Sequence, residues 1–136
     1  MRRVLAASAV AMTAALGLAA TAAADPVPGP PYVAHLEWAK WGDLSSLRVY
    51  PTDSARAASV EPGTDSEADE AWAEVVTLSP DADIPGMRDQ FMCHWHYAEF
   101  AYPGKTSWNL EPWRPEVPAD QMLAAHCNPG GTEEPF

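Results

Sequence analysis

From Tyr32 to Trp41 the side chains alternate. Tyr32, Ala34, Leu36 and Trp38 hold the even positions as apolar groups, and His35 and Glu37 face the other way. A period of two places each set on one face of an extended chain, which predicts a β-strand. Gly42-Asp43 marks a turn. Leu47 to Tyr50 has the β-branched and aromatic character of a second strand, stopped by Pro51. The two strands are expected to form a hairpin.

Small and acidic residues fill Ser54 to Glu70, and Ser59 to Asp69 reads as a loop. A helix is expected to begin near Ser66. Trp72, Val75 and Val76 fall at i, i+3 and i+4 and form one apolar stripe. Glu67, Asp69 and Glu70 crowd the first turn, where the helix dipole favours negative charge. Ser79-Pro80 ends the element.

After a turn at Ile84-Pro85-Gly86-Met87, Gln90 to Tyr102 reads as a strand. Phe91, Cys93, Trp95 and Tyr97 occupy its odd positions as a core face; Met92, His94, His96, Ala98 and Phe100 occupy the other, solvated one. Pro103-Gly104-Lys105 turns the chain into a short strand over Thr106 to Leu110. Glu111 to Pro115 is expected to be extended, because proline restricts the residue before it. Asp120 to His126 reads as a short helix with Asp120 as N-cap. The sum is one α+β domain with a small antiparallel sheet, one or two short helices and one disulfide.

The two ends of the chain set its compartment. Arg2 and Arg3 precede an uncharged run, Val4 to Ala20, built mostly of Ala, Val and Leu. Ala22 and Ala24 then put small side chains where a signal peptidase requires them, so a signal peptide over 1–24, cleaved before Asp25, is expected. The run is about long enough to span a bilayer, but alanine buries little apolar surface. The mature chain is therefore expected to be secreted and not membrane-embedded. It divides into a flexible Pro/Gly leader (25–31), a globular domain (32–128) and a tail (129–136).

Charge and cysteine narrow the picture further. All 19 acidic residues and six of the eight basic ones follow Ala24, for a mature net charge of −13 with His neutral. Such a surface repels nucleic acid and anionic lipid. Cys93 and Cys127 are the two cysteines, and in an exported chain an even pair most simply means a disulfide. Closing that loop stabilises a small domain by roughly 3–4 kcal/mol.

Three stretches together carry a resemblance. They are Pro85-Gly86-Met87-Arg88-Asp89-Gln90-Phe91-Met92-Cys93-His94, Lys105-Thr106-Ser107-Trp108-Asn109-Leu110-Glu111-Pro112-Trp113-Arg114-Pro115, and Cys127-Asn128-Pro129-Gly130-Gly131. With Leu47 to Pro51, Thr52 and Arg56, they resemble a family of small secreted actinobacterial proteins catalogued as domain of unknown function 2599. The resemblance covers about Trp38 to Gly131. It implies an exported domain with a Cys93–Cys127 bridge and brings no activity with it. His94 matches the family's Cys-His pair; His96 and His126 lie outside the pattern.

Two functional readings follow. On a strand, His94 and His96 would point the same way, and the disulfide would bring His126 near His94. Three imidazoles with an open position make a catalytic zinc pattern, and His also suits copper and nickel. That reading is a metal-binding protein or metal-assisted hydrolase using His94, His96 and His126. The leading reading is a non-catalytic binding or interaction module that needs no cofactor and meets a protein or glycan partner outside the cell. Its candidate contacts are His94, Trp108, Glu111, Trp113 and Arg114, since the Pro-flanked Trp segment could present a binding edge or lie as a strap with Arg114 paired to an acid. Cys93-His94-Trp95-His96 has the Cys-x-x-His spacing of secreted phospholipases, but Tyr97 stands where their Asp follows and the calcium loop is missing. No Gly-x-Ser-x-Gly elbow marks a serine hydrolase.

Overall fold

A computed structural model describes residues 14–18 and 26–131. The expected signal peptide cleavage site and residues 132–136 of the expected tail lie outside the described residues. The hairpin forms as expected: β1 (Val33–Trp41) pairs antiparallel with β2 (Leu44–Pro51). The loop between them is two residues long, with Gly42 in its first position at φ +57°, a conformation glycine adopts without steric cost. β3 (Trp108–Leu110) pairs antiparallel with β2, setting Leu47 opposite Leu110 and Val49 opposite Trp108. The order β1-β2-β3 completes a three-stranded sheet.

Helices cover one sheet face. α1 (Asp53–Ser59) forms where no element was expected; Thr52 caps it by accepting from the Ala55 N–H. α2 (Asp65–Leu78) buries Ala68, Ala71, Trp72 and Val75, with Asp65 and Glu67 in its first turn; of the expected stripe Trp72 and Val75 are buried and Val76 is half-buried. A 3₁₀ turn, Pro80–Ala82, follows.

The main correction is α3 (Met87–Ala101), a helix where a strand over Gln90 to Tyr102 was expected. Its buried residues include Met87, Gln90, Phe91, His94, Trp95 and Ala98. That spacing is i, i+3, i+4, i+7, i+8, i+11, one helical face. Two of those buried positions, Gln90 and His94, are polar. They break the apolar stripe and leave the accidental alternation of Phe91, Cys93, Trp95 and Tyr97 as the stronger pattern.

The core sits between α3 and the sheet. Trp95 packs edge-on against Tyr32 (ring centroids 5.4 Å apart) and Trp108 (6.2 Å), and Phe91 bridges Trp72 and Trp108. Burying an indole of this size contributes about 4–6 kcal/mol as an upper estimate. The Trp95 Nε1–H donates to Thr64 Oγ1, so this buried indole has its polar atom satisfied.

α4 (Ala119–Ala124) starts after Pro118; Asp120 lies in its first turn and is not the cap expected of it. The Cys93–Cys127 disulfide joins α3 to the segment after α4 and forms a second small core with Met122 and Val117. Carbonyls of the Pro/Gly stretch before β1 accept three side-chain hydrogen bonds. Tyr32 OH donates to Pro28 O, Ser54 Oγ to Gly29 O and Thr52 Oγ1 to Pro31 O. The Glu74 carboxylate accepts the backbone N–H groups of Tyr32 and Val33, fixing where β1 begins. Burial, and then the carboxylates of Glu67, Glu70 and Glu74, hold the Tyr32 phenol above its usual range.

Candidate functional site

The Trp-rich segment is a strap and not an exposed edge. Trp108 is 1% exposed and inside the core, and Arg114 is buried as well. The Glu111 and Arg114 side chains are both 0% exposed and form an ion pair, Arg114 Nε to Glu111 Oε2, at 3.1 Å. Ser46 Oγ donates to Glu111 Oε1. The Gln90 amide closes a two-way bond with the Glu111 backbone: Nε2 donates to its O at 2.9 Å, and its N–H donates to Oε1 at 2.8 Å. Arg114 Nη1 donates to the carbonyls of Pro129 and Gly131, drawing the C-terminal segment down. The guanidinium also lies 4.4 Å over the Trp113 ring. One network thus ties β2, α3, the segment after β3 and the tail.

This network corrects the expectation for Trp108, Glu111 and Arg114 as binding contacts. A group sealed in the interior cannot stack on a sugar or meet a partner. Trp113 is half-buried under the same guanidinium. It also accounts for two of the stretches that carry the resemblance. Glu111 to Pro115 supplies the charged pair, and Pro129-Gly130-Gly131 supplies the carbonyls. Gly130 has φ +91°, and a Cβ there would lie 2.7 Å from Pro115 Cδ, so the close approach of these two segments requires glycine. Trp108 Nε1, Trp113 Nε1 and Arg114 Nη2 are buried with no hydrogen-bond partner among the described residues.

The histidines part company. Two residues apart on a helix is a rotation of about 200°, so His94 and His96 leave α3 in different directions. His94 is buried, and its Nδ1–H donates to Gln90 O at 2.8 Å one turn earlier. His96 meets Asp65 Oδ1 at 3.3 Å near the solvent. His126 is exposed at φ +51°, followed by Cys127 at φ +66°. Two consecutive non-glycine residues in left-handed backbone are strained, and the disulfide anchors the second of them. As expected from the bridge, His94 and His126 come to line one cleft; His96 does not join them. Among the described residues no group of three or more His, Cys, Asp or Glu is placed to hold a metal ion. The strand geometry that would have aligned His94 with His96 is absent, and the zinc arrangement goes with it.

What the fold leaves open is the outer side of α3. Tyr97 is 44% exposed; Phe100 and Tyr102 are each 66% exposed. Three concavities meet at Tyr97. One, of about 450 Å³, runs between α3 and the start of α4, lined by Arg88, Met92, His96, Val117 and Pro118 among others. A second, of about 300 Å³, lies between the end of α3 and the end of α4, with Tyr102, Lys105, His94, His126 and Asn128. The third, also about 300 Å³, runs beside the Ser59–Thr64 loop, with Val60 and Phe100. Cys93 lies in the wall of the first and Cys127 in that of the second. Sequence reasoning missed this surface because it assigned Tyr97 to a core strand face. In a helical register Tyr97 and Phe100, three apart, form an outward pair.

Among the described residues, no helix is long and apolar enough to cross a membrane. The family model described as "Protein of unknown function (DUF2599)" matches residues 33–130. An uncharacterized protein of Mycobacterium tuberculosis and one of Mycobacterium bovis are each 53% identical over 149 residues, covering 100% of this chain and 100% of theirs. An uncharacterized protein of Mycobacterium leprae is 47% identical over 103 residues, 76% of this chain and 83% of its own. No solved structure matches the chain. The match across all of the hairpin, the helices and the bridge carries one conclusion: the chain belongs to the DUF2599 family.

Proposed function

We propose that the mature protein is a secreted, non-catalytic binding module, and that its ligand surface is the outer side of α3 centred on Tyr97. The observation that carries this reading is the meeting of three concavities at one exposed ring, flanked by exposed Phe100, Tyr102 and Leu123. Clustered aromatics beside concave surface are where binding energy concentrates. The most tightly organised polar groups, Glu111, Arg114, Gln90 and Ser46, are spent on holding the fold. Export is supported by Arg2-Arg3, the alanine-rich run and Ala22-x-Ala24, and a disulfide suits an oxidising compartment.

The test is to express the full chain in an actinobacterial host and recover it from the medium. N-terminal sequencing should read Asp25 onward. The recovered protein, immobilised, should capture extracellular protein or glycan that the Tyr97→Ala and Phe100→Ala variants do not. Retention in the cell with residues 1–24 attached would end the secretion reading. Equal capture by wild type and both variants would end the assignment of the surface.

A further inference from the structure

We infer that two copies of the protein pair through the free edge of β1, antiparallel about a two-fold axis at Leu36, to form one sheet continuous across both. This surface lies on a different element from the Tyr97 face and does not rest on that reading.

β1 is a nine-residue strand at the edge of the sheet. Among the described residues, the backbone from Ala34 to Trp41 bonds only to β2. Such an edge offers a row of N–H and C=O groups to another strand. The sheet's other edge offers little: β3 has three residues, and its Trp108 and Leu110 are buried. β1 instead leaves His35, Glu37, Trp38, Lys40 and Trp41 exposed.

The order of its side chains selects a second copy as the strand that fits. About a two-fold axis perpendicular to the sheet, a residue and its copy lie on the same face. Directly opposed residues also share a face, so the axis must pass through a residue position. At His35 it would set His35 against itself and Glu37 against Val33. At Glu37 it would oppose two carboxylates directly, which is destabilising. At Trp38 it would leave Lys40 against Leu36. At Leu36 the neighbours match. Leu36 meets Leu36, and His35 faces Glu37 twice, once in each direction. Ala34, at the bulge in β1, is small enough to admit Trp38.

Tyr50 already holds the polar pair in place. The His35 ring stacks on Tyr50 with centroids 4.0 Å apart and planes 13° apart. The Tyr50 hydroxyl donates to Glu37 Oε2 at 3.1 Å. An imidazole N–H of one copy then donates to the other copy's carboxylate with little left to order. Lys40 adds a further match. It shares the α2 face with Trp38, whose Nε1–H donates to Ser79 Oγ, and it points past the axis toward the start of the second copy's β1. There a groove at Pro31 and Val33 is lined by Glu70 and Glu74 of α2, so the ammonium meets carboxylates. The chain is strongly acidic, but at physiological salt charges are screened beyond about 8 Å, and the local match decides.

The experiment is sedimentation equilibrium of the purified protein at physiological salt, from micromolar to millimolar concentration. The wild type should follow a monomer–dimer equilibrium with a dissociation constant on the order of 10–100 μM, as befits a small interface. His35→Glu sets a carboxylate against Glu37 twice per dimer and should weaken association at least about tenfold. Glu37→Lys removes both acceptors and should weaken it as well. The double variant His35→Glu/Glu37→Lys restores opposite charges across the axis and should return to within about threefold of wild type. Lys40→Glu changes an exposed side chain, so it should keep the wild-type melting temperature by circular dichroism while weakening association about threefold or more. Tyr97→Ala should leave association unchanged. The inference is overturned if the wild type stays monomeric to millimolar concentration, or if His35→Glu and Lys40→Glu leave the dissociation constant unchanged. It is equally overturned if the double variant is as weak as the weaker single, since the register at Leu36 is then wrong, or if Tyr97→Ala abolishes the dimer.

Discussion

Arg114→Met removes the guanidinium from the interior and leaves its long apolar stem. Glu111 keeps its carboxylate at 0% exposure with one acceptor bond, from Ser46, in place of two. Removing one partner of a buried pair costs about 3–5 kcal/mol, mostly because the other charge is stranded. The same substitution frees the carbonyls of Pro129, in the interior, and Gly131, nearer the surface. The expected loss is therefore about 3–5 kcal/mol, against a total of about 5–15 kcal/mol for a typical domain. At about 4 °C or more per kcal/mol, the melting temperature should fall by at least about 12 °C. Urea unfolding followed by tryptophan fluorescence measures it. The companion variant Glu111→Leu/Arg114→Met discriminates the cause. With both charges gone no ion is stranded, and the double variant should be more stable than either single by about 1 kcal/mol or more. A single-variant cost below about 1 kcal/mol, or strictly additive losses in the double variant, would refute the view that the strap is held by a desolvated ion pair.

Cys127→Ala opens a loop with a sequence separation of 34 and should cost roughly 3–4 kcal/mol, read as a fall in melting temperature that reductant reproduces in the wild type. Gly130→Ala sets a Cβ against Pro115 at φ +91° and should cost about 1–3 kcal/mol, with faster proteolysis of the C-terminal segment than in wild type. The Tyr32 phenol has its folded value raised above the ordinary 10.0 by burial and by Glu67, Glu70 and Glu74. Its contribution is therefore complete below about pH 10 and is lost as pH rises through the folded value. Thermal melts from pH 8 to 11 should show a decline that is shallower in Tyr32→Phe; identical slopes would count against the assignment.

Wherever one local rule dominates, the sequence determined the outcome by itself. Alternation from Tyr32 to Trp38 with Gly42-Asp43 was enough to point to the hairpin, although of the expected apolar face only Tyr32 is buried and Leu36 half-buried, while Ala34 and Trp38 are exposed. Trp72, Val75 and Val76 specify α2, and two cysteines in a chain expected to be exported point to the bridge. The family was also legible, since its motifs lie in short contiguous runs. Tertiary structure decided the identity of α3 and, with it, every site assignment. Gln90 and His94 belong to the buried face because partners 21 residues away and one turn back satisfy them, a fact no hydrophobic periodicity contains. Once that segment is a helix, His94 and His96 diverge and Tyr97 turns outward. Trp108 and Arg114 go inside for the same kind of reason: β3 pairs with a buried central strand, and Glu111 waits in the interior for a countercharge. Local pattern records what a residue is. Whether a polar one is exposed for binding or buried for support depends on partners brought by the fold, and those are distant in the chain.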